Sequence, residues 1–132
     1  MAPGPEHKKQ CEDDLFCGVN MAKDPDKMTD LEKKHTPVIT APEKVKKGEC
    51  FEVKVEVGKL LAHPNEPGHF IAFVDLYADE TFIARADFTH TRACPTVTFC
   101  ISLEHAHCCL RAFEWCNLHG TWEGDKNVEV SD

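Results

Sequence analysis

Five side chains able to bind a metal lie in three short segments that are far apart in the sequence. They offer four imidazoles and one thiol: His35, His63, His69, Cys116 and His119. The last two are three residues apart in a turn that ends at a glycine, and the middle two enclose a loop rich in proline and glycine. All five flank predicted strand boundaries, where the loops at one end of a sheet structure converge. We therefore expect them to form one metal site.

Each of these segments alone is a weak signal. A lone C-x2-H is more often structural or coincidental than a metal site, and a lone H-x5-H is usually a pair of surface histidines. The combination of the three segments favours metal binding. The remaining histidines have no such neighbours, and we expect them to be solvated or locally hydrogen-bonded: His7, His90, His105 and His107.

The donor set indicates which metal chemistry the site would support. Mixed imidazole and thiolate ligands suit zinc, iron or copper, but a closed structural zinc site uses four ligands and five are available here. Four imidazoles in a square with an axial thiolate leave the sixth position of an octahedral ion open, and iron commonly uses this arrangement. The thiolate donates electron density toward that open position, as in thiolate-ligated haem. An open position on a redox metal predicts catalysis.

The elements that must position these donors are strands. Apolar and polar residues alternate from residue 51 to 57, which predicts a half-buried strand. Further strands are predicted at residues 70–77, 81–88, 96–103, 108–115 and 127–130, with turn residues between them. Six or seven short strands at this spacing predict an all-β fold, an immunoglobulin-like antiparallel β-sandwich.

The N-terminal part of the chain has a different character. Residues 1–30 are polar and interrupted by three prolines, which predicts an irregular arm. A short helix is expected near residues 27–33. The metal-binding sandwich domain is then predicted to span residues 31–132.

Composition excludes several classes of function. A chain of 132 residues fits one domain, and the formal net charge of -8 argues against nucleic acid as a partner. No segment approaches the ~20 apolar residues that span a bilayer. The first ten residues contain no apolar run typical of a secretory signal, so we expect a cytoplasmic protein. In a reducing compartment, eight cysteines indicate metal or redox chemistry rather than disulfides.

The three donor segments, in this order, resemble those of the superoxide reductases, the neelaredoxin and desulfoferrodoxin family. They read Lys-His-Thr-Pro-Val-Ile at residues 34–39, His-Pro-Asn with a second histidine at residues 63–69, and Cys-Asn-Leu-His-Gly with a following tryptophan at residues 116–122. Residues 41–58 also resemble the family. The resemblance covers the chain from about residue 35 onward, and the ordered combination of segments is specific.

The resemblance implies an immunoglobulin-like sandwich that carries a mononuclear iron, Fe2+ or Fe3+. Its equatorial ligands would be the four histidines and its axial ligand the cysteine of the set named above. The implied reaction is the one-electron reduction of superoxide to hydrogen peroxide, with re-reduction by a rubredoxin-like or other electron donor. Lys34 matches the family lysine that attracts superoxide and assists protonation. Without the adjacent His35, Lys33 and Lys34 would be interpreted as a solvated charge pair. We expect a homo-oligomer, a dimer or a tetramer, and no contact with membranes.

One departure from the family concerns a carboxylate. In the family a glutamate usually lies two residues before the first histidine and can bind the oxidised iron, but here that place is taken by Lys33. Glu32 lies one residue earlier, so we leave it out of the predicted ligand set. Either a loop movement brings Glu32 to the metal, or water or hydroxide takes that position.

The other departure is the number of cysteines, because iron would use only Cys116. Relatives called methanoferrodoxins combine the same active site with an iron-sulfur cluster. Alternation in the strand at 96–103 turns Cys100 to the outer face of its sheet. If residues 104–107 form a hairpin turn, Cys109 falls close to Cys100.

These positions lead to the hypothesis of a [4Fe-4S] cluster held by Cys11, Cys17, Cys100 and Cys109. Phe113 and Trp115 lie an even number of residues from Cys109, so all three would share one face of the strand. Large aromatic side chains on an outer face argue against this orientation, and Cys108 is therefore an alternative to Cys109. The competing interpretation is that these cysteines are small buried hydrophobic residues or free thiols. Cys50 and Cys94 are assigned to packing.

Two other functions are compatible with the sequence. A non-catalytic iron electron-transfer protein would use the same ligands but would not consume superoxide. An immunoglobulin-like binding module with incidental histidines would purify colourless and metal-free.

Overall fold

The computed structural model describes residue 11 and residues 13–132. In this part of the chain it contains one short helix and ten strands. They are β1 (Val19–Asn20), α1 (Asp30–His35), β2 (Val38–Thr40), β3 (Lys44–Lys46), β4 (Phe51–Glu56), β5 (Ile71–Ala78), β6 (Thr81–Asp87), β7 (Thr96–Ile101), β8 (Cys109–Cys116), β9 (Gly120–Asn127) and β10 (Glu129–Ser131).

The strands form a five-stranded sheet in the order β1-β9-β8-β5-β6 and a three-stranded sheet in the order β2-β4-β7. Strands β3 and β10 form a separate pair. All pairs are antiparallel except β1 with β9 and β3 with β10. The prediction of an all-β sandwich is confirmed.

The core lies between the two larger sheets. Val53 and Val55 of β4 are completely buried, as are Val74 and Leu76 of β5 and Leu110 of β8. Lys54 lies between the two valines of β4 and is exposed, so the alternation in the sequence corresponds to an inner and an outer face. Burial of each of these apolar side chains contributes about 1.5–3 kcal/mol to stability.

Strand β8 connects the core to the metal donors. Ala112, Glu114 and Cys116 are buried on its inner face. On its outer face, the ring of Trp115 lies 6.5 Å from that of Phe16, and the ring of Phe113 lies 5.4 Å from that of Tyr77. Phe113 and Trp115 thus lie on one face of β8, as their alternation predicts, and Phe16 of the N-terminal segment covers part of it.

The predicted hairpin between β7 and β8 is wrong. Strand β7 pairs with β4, and residues 102–108 cross from the three-stranded sheet to the five-stranded sheet. Each sheet thereby buries one face against the other, which a β7-β8 hairpin would not achieve.

The sequence pattern also fails to predict β9, the partner of both β8 and β1. This strand has two glycines and three charged residues, a composition that disfavours strands. Pairing with β8 stabilises this strand despite its composition. The buried Glu123 of β9 accepts a 2.7 Å hydrogen bond from Nε of Arg111 on β8. A charged position is accommodated in the sheet because a cation on the neighbouring strand lies diagonally across the ladder from it.

Helix α1 is found close to its predicted position, at residues 30–35 rather than 27–33. Thr29 caps it: its hydroxyl accepts the amide of Glu32 at 3.2 Å, and the Glu32 carboxylate accepts the amide of Thr29 at 2.9 Å. This capping box fixes the first turn and places His35 at the last position.

The predicted boundary at residue 30 stays a prediction, although β1 already joins the five-stranded sheet through β9. Among the described residues, no helix has the length and apolar character needed to cross a membrane.

Gly124 of β9 holds the connection from α1 to β2 close to the sheet. A Cβ at this position would overlap the carbonyl oxygen of Pro37 and lie 3.3 Å from the Thr36 methyl group. We predict that Gly124→Ala lowers the free energy of unfolding by about 1–3 kcal/mol, because backbone must move to relieve the overlap. Chemical denaturation measures this.

Gly68→Ala is the matched control, because an added Cβ there has no neighbour within 4 Å among the described residues. Its stability should change by less than about 0.5 kcal/mol. Equal losses in the two variants would show that the Pro37 contact is not responsible.

Candidate metal centre

Four different parts of the fold bring the five predicted donors together. His35 ends α1, His63 and His69 lie in the loop between β4 and β5, Cys116 ends β8, and His119 lies in the turn before β9. His35 Nε2 is 3.2 Å from His63 Nε2 and 3.1 Å from His119 Nδ1. Cys116 Sγ is 3.5 Å from His63 Nε2 and 3.7 Å from His119 Nδ1.

The ring orientations of His35 and His63 are set by backbone carbonyls. Nδ1 of His35 lies 2.8 Å from the carbonyl oxygen of Leu31, and Nδ1 of His63 lies 2.6 Å from that of Pro64. A carbonyl oxygen only accepts hydrogen bonds, so each Nδ1 carries the proton. In the neutral ring, each Nε2 then has no proton and presents its lone pair. Two lone pairs therefore face each other at 3.2 Å, which is repulsive unless a cation lies between them.

His69 completes the set. Its Nε2 is buried and has no hydrogen-bond partner among the described residues. Ligand atoms of His35, His69, Cys116 and His119 all lie within 4.8 Å of one another. A buried polar atom without a partner is costly, and its position in this group indicates that a metal would satisfy it.

Cys116 is completely buried at the inner side of the group. Burial raises the pKa of its thiol, the amides of Leu118 and His119 oppose this by hydrogen bonding to the sulfur, and the nearby Glu114 adds to the increase. Gly120 ends this turn with φ of 81°, a conformation in which glycine is favoured. A side chain there would also overlap the carbonyl oxygen of Leu15.

The donors fit a single cation. Burial lowers the pKa of His35 and of His63 to about 4, so both rings are neutral near pH 7. Adjacent ligand atoms that each lie about 2.1 Å from one cation are about 3 Å apart at right angles, close to the observed nitrogen-nitrogen distances. The thiol adds a soft donor that favours a transition metal over calcium or magnesium.

Lys34 precedes the first histidine and is partly exposed. Its positive charge acts on His63 and His119, where it adds to the effect of burial in lowering the pKa of each imidazole. Lys34 is therefore close enough to influence an anion that approaches the group.

Glu32 has another role in this structure. It is buried, and its two carboxylate oxygens accept the amides of Thr29 at 2.9 Å and Lys23 at 3.2 Å. To reach the metal donors it would have to give up the helix cap. The capping function explains a buried glutamate here without metal ligation.

Sequence reasoning missed two residues that position the donors. The indole of Trp122 stacks on His35 with ring centroids 5.2 Å apart, and its Nε1 donates to the carbonyl oxygen of His119 at 3.0 Å. Asn117 donates to the carbonyl oxygen of Gly68 at 3.0 Å and accepts the amide of Phe70 at 2.8 Å. It thus holds the backbone on both sides of His69. Both lie within the segment at 116–122, but its spacing does not show what they contact.

Glu114 is a third residue without a sequence signal. It is completely buried two residues before Cys116, and neither carboxylate oxygen has a hydrogen-bond partner among the described residues. Burial raises its pKa well above the usual value.

The structure does not bring the four cysteines of the hypothetical cluster together. Cys11 and Cys17 form a disulfide with each other. Cys100 is exposed on β7, and Cys109 is buried on β8 in the other sheet, so the crossing of residues 102–108 separates them. The [4Fe-4S] hypothesis therefore has no support here.

The remaining cysteines are also accounted for. Cys50 and Cys94 are exposed, so their assignment to packing is wrong. Cys108, the alternative to Cys109, is exposed with its sulfur 2.8 Å from that of Cys109.

We predict that Asn117→Ala accelerates loss of the bound metal by about ten-fold or more, because the loop carrying His69 is no longer tied to the Cys116 turn. Transfer of the metal to a chromogenic chelator measures the rate. Asn127→Ala, an exposed position at the far end of β9, is the control and should release metal at the rate of the unmodified protein. Equal release rates for all three proteins would remove Asn117 from this role.

Comparison with known proteins gives consistent results. A relative from Methanocaldococcus jannaschii is 42% identical over 116 residues, which cover 86% of this chain and 95% of the relative. A superoxide reductase from Pyrococcus abyssi is 37% identical over 119 residues, covering 83% of this chain and 100% of the relative. The solved structure of a superoxide reductase (neelaredoxin) from Ignicoccus hospitalis superposes with a TM-score of 0.66 at 40% identity, covering 74% of this chain and 81% of that one.

The family model described as desulfoferrodoxin matches residues 27–125, a range that contains all five donors, the whole of β8 and most of β9. The match covers most of the chain, and the relatives match over nearly their whole lengths. The chain belongs to the desulfoferrodoxin family.

Proposed function

We propose that this protein is a superoxide reductase that performs the one-electron reduction of superoxide to hydrogen peroxide. The observation that carries the proposal is the convergence of four imidazoles and one thiol at the end of the sandwich, with His35 Nε2 and His63 Nε2 facing each other at 3.2 Å. The name of the Pyrococcus abyssi relative supports the same activity.

The resident metal in this proposal is a mononuclear iron. His35, His63, His69 and His119 would hold it through imidazole nitrogens, and Cys116 would hold it through its sulfur. When bound, the iron supplies the electron by passing from the ferrous to the ferric state.

The protein keeps its imidazoles ready for this role by burying them. The low pKa values of His35 and His63 mean that protons do not compete for the ligand nitrogens near pH 7. His35 and Cys116 are completely buried, whereas His63, His69 and His119 are partly exposed. Access from solvent is therefore on the side of these three imidazoles.

Lys34 is the proposed catalytic residue for handling the anionic substrate. The chain carries a formal net charge of -8, which repels superoxide at long range. A positive charge that acts on His63 and His119 provides local attraction against this field. The ammonium group can also donate a proton as the reduced product takes up protons.

The electron donor is proposed to be a rubredoxin-like protein or another cellular reductant. A homo-oligomeric state, a dimer or tetramer, and a cytoplasmic location stay predictions. The alternative is a non-catalytic iron electron-transfer protein. It is not favoured, because the name of the Pyrococcus abyssi relative is that of an enzyme.

We predict that Cys116→Ser abolishes the thiolate-to-iron absorption band of the oxidised protein and the superoxide reductase activity. The serine hydroxyl does not ionise near pH 7, so the soft thiolate donor would be lost. Visible spectroscopy and superoxide consumption measure the two effects.

Cys94→Ser is the control, because Cys94 is an exposed thiol outside the donor group. It should retain both the band and the activity. A Cys116→Ser protein with an unchanged spectrum would contradict the assignment of Cys116 as an iron ligand.

We predict that Lys34→Ala slows the reaction with superoxide by on the order of ten-fold and flattens its dependence on ionic strength, because the local attracting charge is lost. Lys33→Ala makes the same change in net charge one residue away and is the matched control. Rapid-mixing kinetics at several salt concentrations separate the two variants. Identical kinetics for the two variants would show that Lys34 is an ordinary solvated surface charge with no role in the reaction.

A further inference from the structure

One segment of the sequence is rich in metal-binding side chains but takes no part in the proposed iron site. Residues 105–109 read His-Ala-His-Cys-Cys. They lead into β8 at the end opposite Cys116, seven residues away along the strand. At ~3.3 Å per residue this is roughly 23 Å from the iron ligands, so this cluster is a separate place in the fold.

Three ligand atoms converge there. A carboxylate oxygen of Asp79 and the sulfurs of Cys108 and Cys109 all lie within 4.8 Å of one another. The two sulfurs are 2.8 Å apart. The same carboxylate accepts a 3.1 Å hydrogen bond from Nδ1 of His107.

The backbone holds this cluster in place. The amides of Cys108 and Cys109 donate to Oδ1 of Asp79 at 3.1 and 3.2 Å. The amide of Asp79 in turn donates to the carbonyl oxygen of Cys109 at 2.9 Å, and Arg111 donates to the carbonyl oxygen of Asp79 at 3.1 Å. Asp79 has φ of 51° in the turn between β5 and β6, so that turn is shaped to present its carboxylate to the start of β8.

We propose that Asp79, Cys108 and Cys109 form a second metal site, which binds one divalent transition ion of the zinc class. Two thiolates and a carboxylate are ligands that zinc accepts, and His107 positions the carboxylate through its hydrogen bond. Three protein ligands leave a fourth position for water or for a further donor.

The cluster needs only a small adjustment to hold such an ion. Sulfurs that each lie about 2.3 Å from a tetrahedral ion are about 3.8 Å apart, so the pair must separate by about 1 Å. Cys109 is 1% exposed and fixed by packing, but Cys108 is exposed and its side chain can rotate. That exposure also gives an ion a route to the cluster.

The carboxylate of Asp79 supplies the negative charge of this cluster and acts on Cys109. Asp125 adds little to it near pH 7, because burial raises the pKa of that carboxyl group to about 8. Arg111 has its guanidinium engaged by Glu123 at 2.7 Å. A bound divalent ion would be held by Asp79 and by the two sulfurs as thiolates.

The consequence for the fold is a stronger link between the start of β8 and the turn between β5 and β6, which the ladder and the Asp79 hydrogen bonds already join. Through Cys108, the ion would also fix the end of residues 102–108, which cross between the sheets. Binding should therefore raise thermal stability without altering the iron site.

The test uses the iron-loaded protein, so that the first site is already filled, and Zn2+ as the probe. We expect the unmodified protein to retain one additional zinc per chain after gel filtration and to show a higher Tm with zinc than without it. The double variant Cys108→Ser/Cys109→Ser should lose both effects while its iron content and superoxide consumption stay unchanged. The matched control Cys50→Ser/Cys100→Ser removes two exposed thiols from elsewhere and should keep both effects.

A second variant covers the case in which the double variant does not fold. Asp79→Asn keeps both thiols and should weaken zinc binding by at least ten-fold in a competition with a chelating dye. Zinc retention at the level of the unmodified protein in Cys108→Ser/Cys109→Ser, or in Asp79→Asn, would overturn the proposal. So would a protein isolated under reducing conditions in which Cys108 and Cys109 are joined as a disulfide and zinc does not bind. Iron content and superoxide consumption are read separately, so failure of the zinc site is distinguishable from failure of the proposed enzymatic function.

Discussion

The contact on which the site depends is the one between two imidazole nitrogens, His35 Nε2 and His63 Nε2, at 3.2 Å. Both rings donate through Nδ1 to backbone carbonyls, and burial lowers both pKa values to about 4. Neither nitrogen then carries a proton, so two lone pairs point toward each other in a partly buried place. A fold maintains such an arrangement when a cation occupies the space between the donors.

The rest of the structure opposes the tendency of these donors to separate. The capping box of Thr29 and Glu32 fixes the helix that carries His35, and Gly124 lets the following residues lie against the sheet. Trp122 stacks on His35 and bonds to the His119 backbone. Asn117 ties the loop that carries His69 to the Cys116 turn. The donors are thus held by contacts that do not involve the metal.

Sequence reasoning predicted the sandwich, and it selected five side chains that the fold brings together, because both depend on local signals. Alternation in β4 follows from a half-buried strand, and the spacing of Cys116 and His119 follows from a tight turn. The pairing of β7 was not predictable in the same way. Nothing within residues 96–109 distinguishes a hairpin from a crossing between sheets, since that choice is made by what the other faces bury. The predicted cysteine cluster depended on the predicted hairpin, because Cys100 and Cys109 are neighbours only if β7 and β8 pair.

Other features depend on partners distant in sequence. Strand β9 has an unfavourable composition, and its Glu123 is accommodated by Arg111 across the ladder. Glu32 looks like a displaced family ligand in the sequence, but its oxygens are occupied by the amides of Thr29 and Lys23. Asn117 and Trp122 have no spacing that reveals their contacts. In each case the sequence shows a residue type, and the fold decides which atoms it meets.

The central claim is that the five-donor site reduces superoxide rather than dismutating it or only carrying electrons. The most direct measurement follows hydrogen peroxide, superoxide and dioxygen together for the iron-loaded protein supplied with a one-electron donor. We expect one hydrogen peroxide for each superoxide consumed, oxidation of one donor equivalent, and no release of dioxygen. Release of dioxygen with half that yield of peroxide, or no superoxide consumption by protein with a full iron content, would contradict the account.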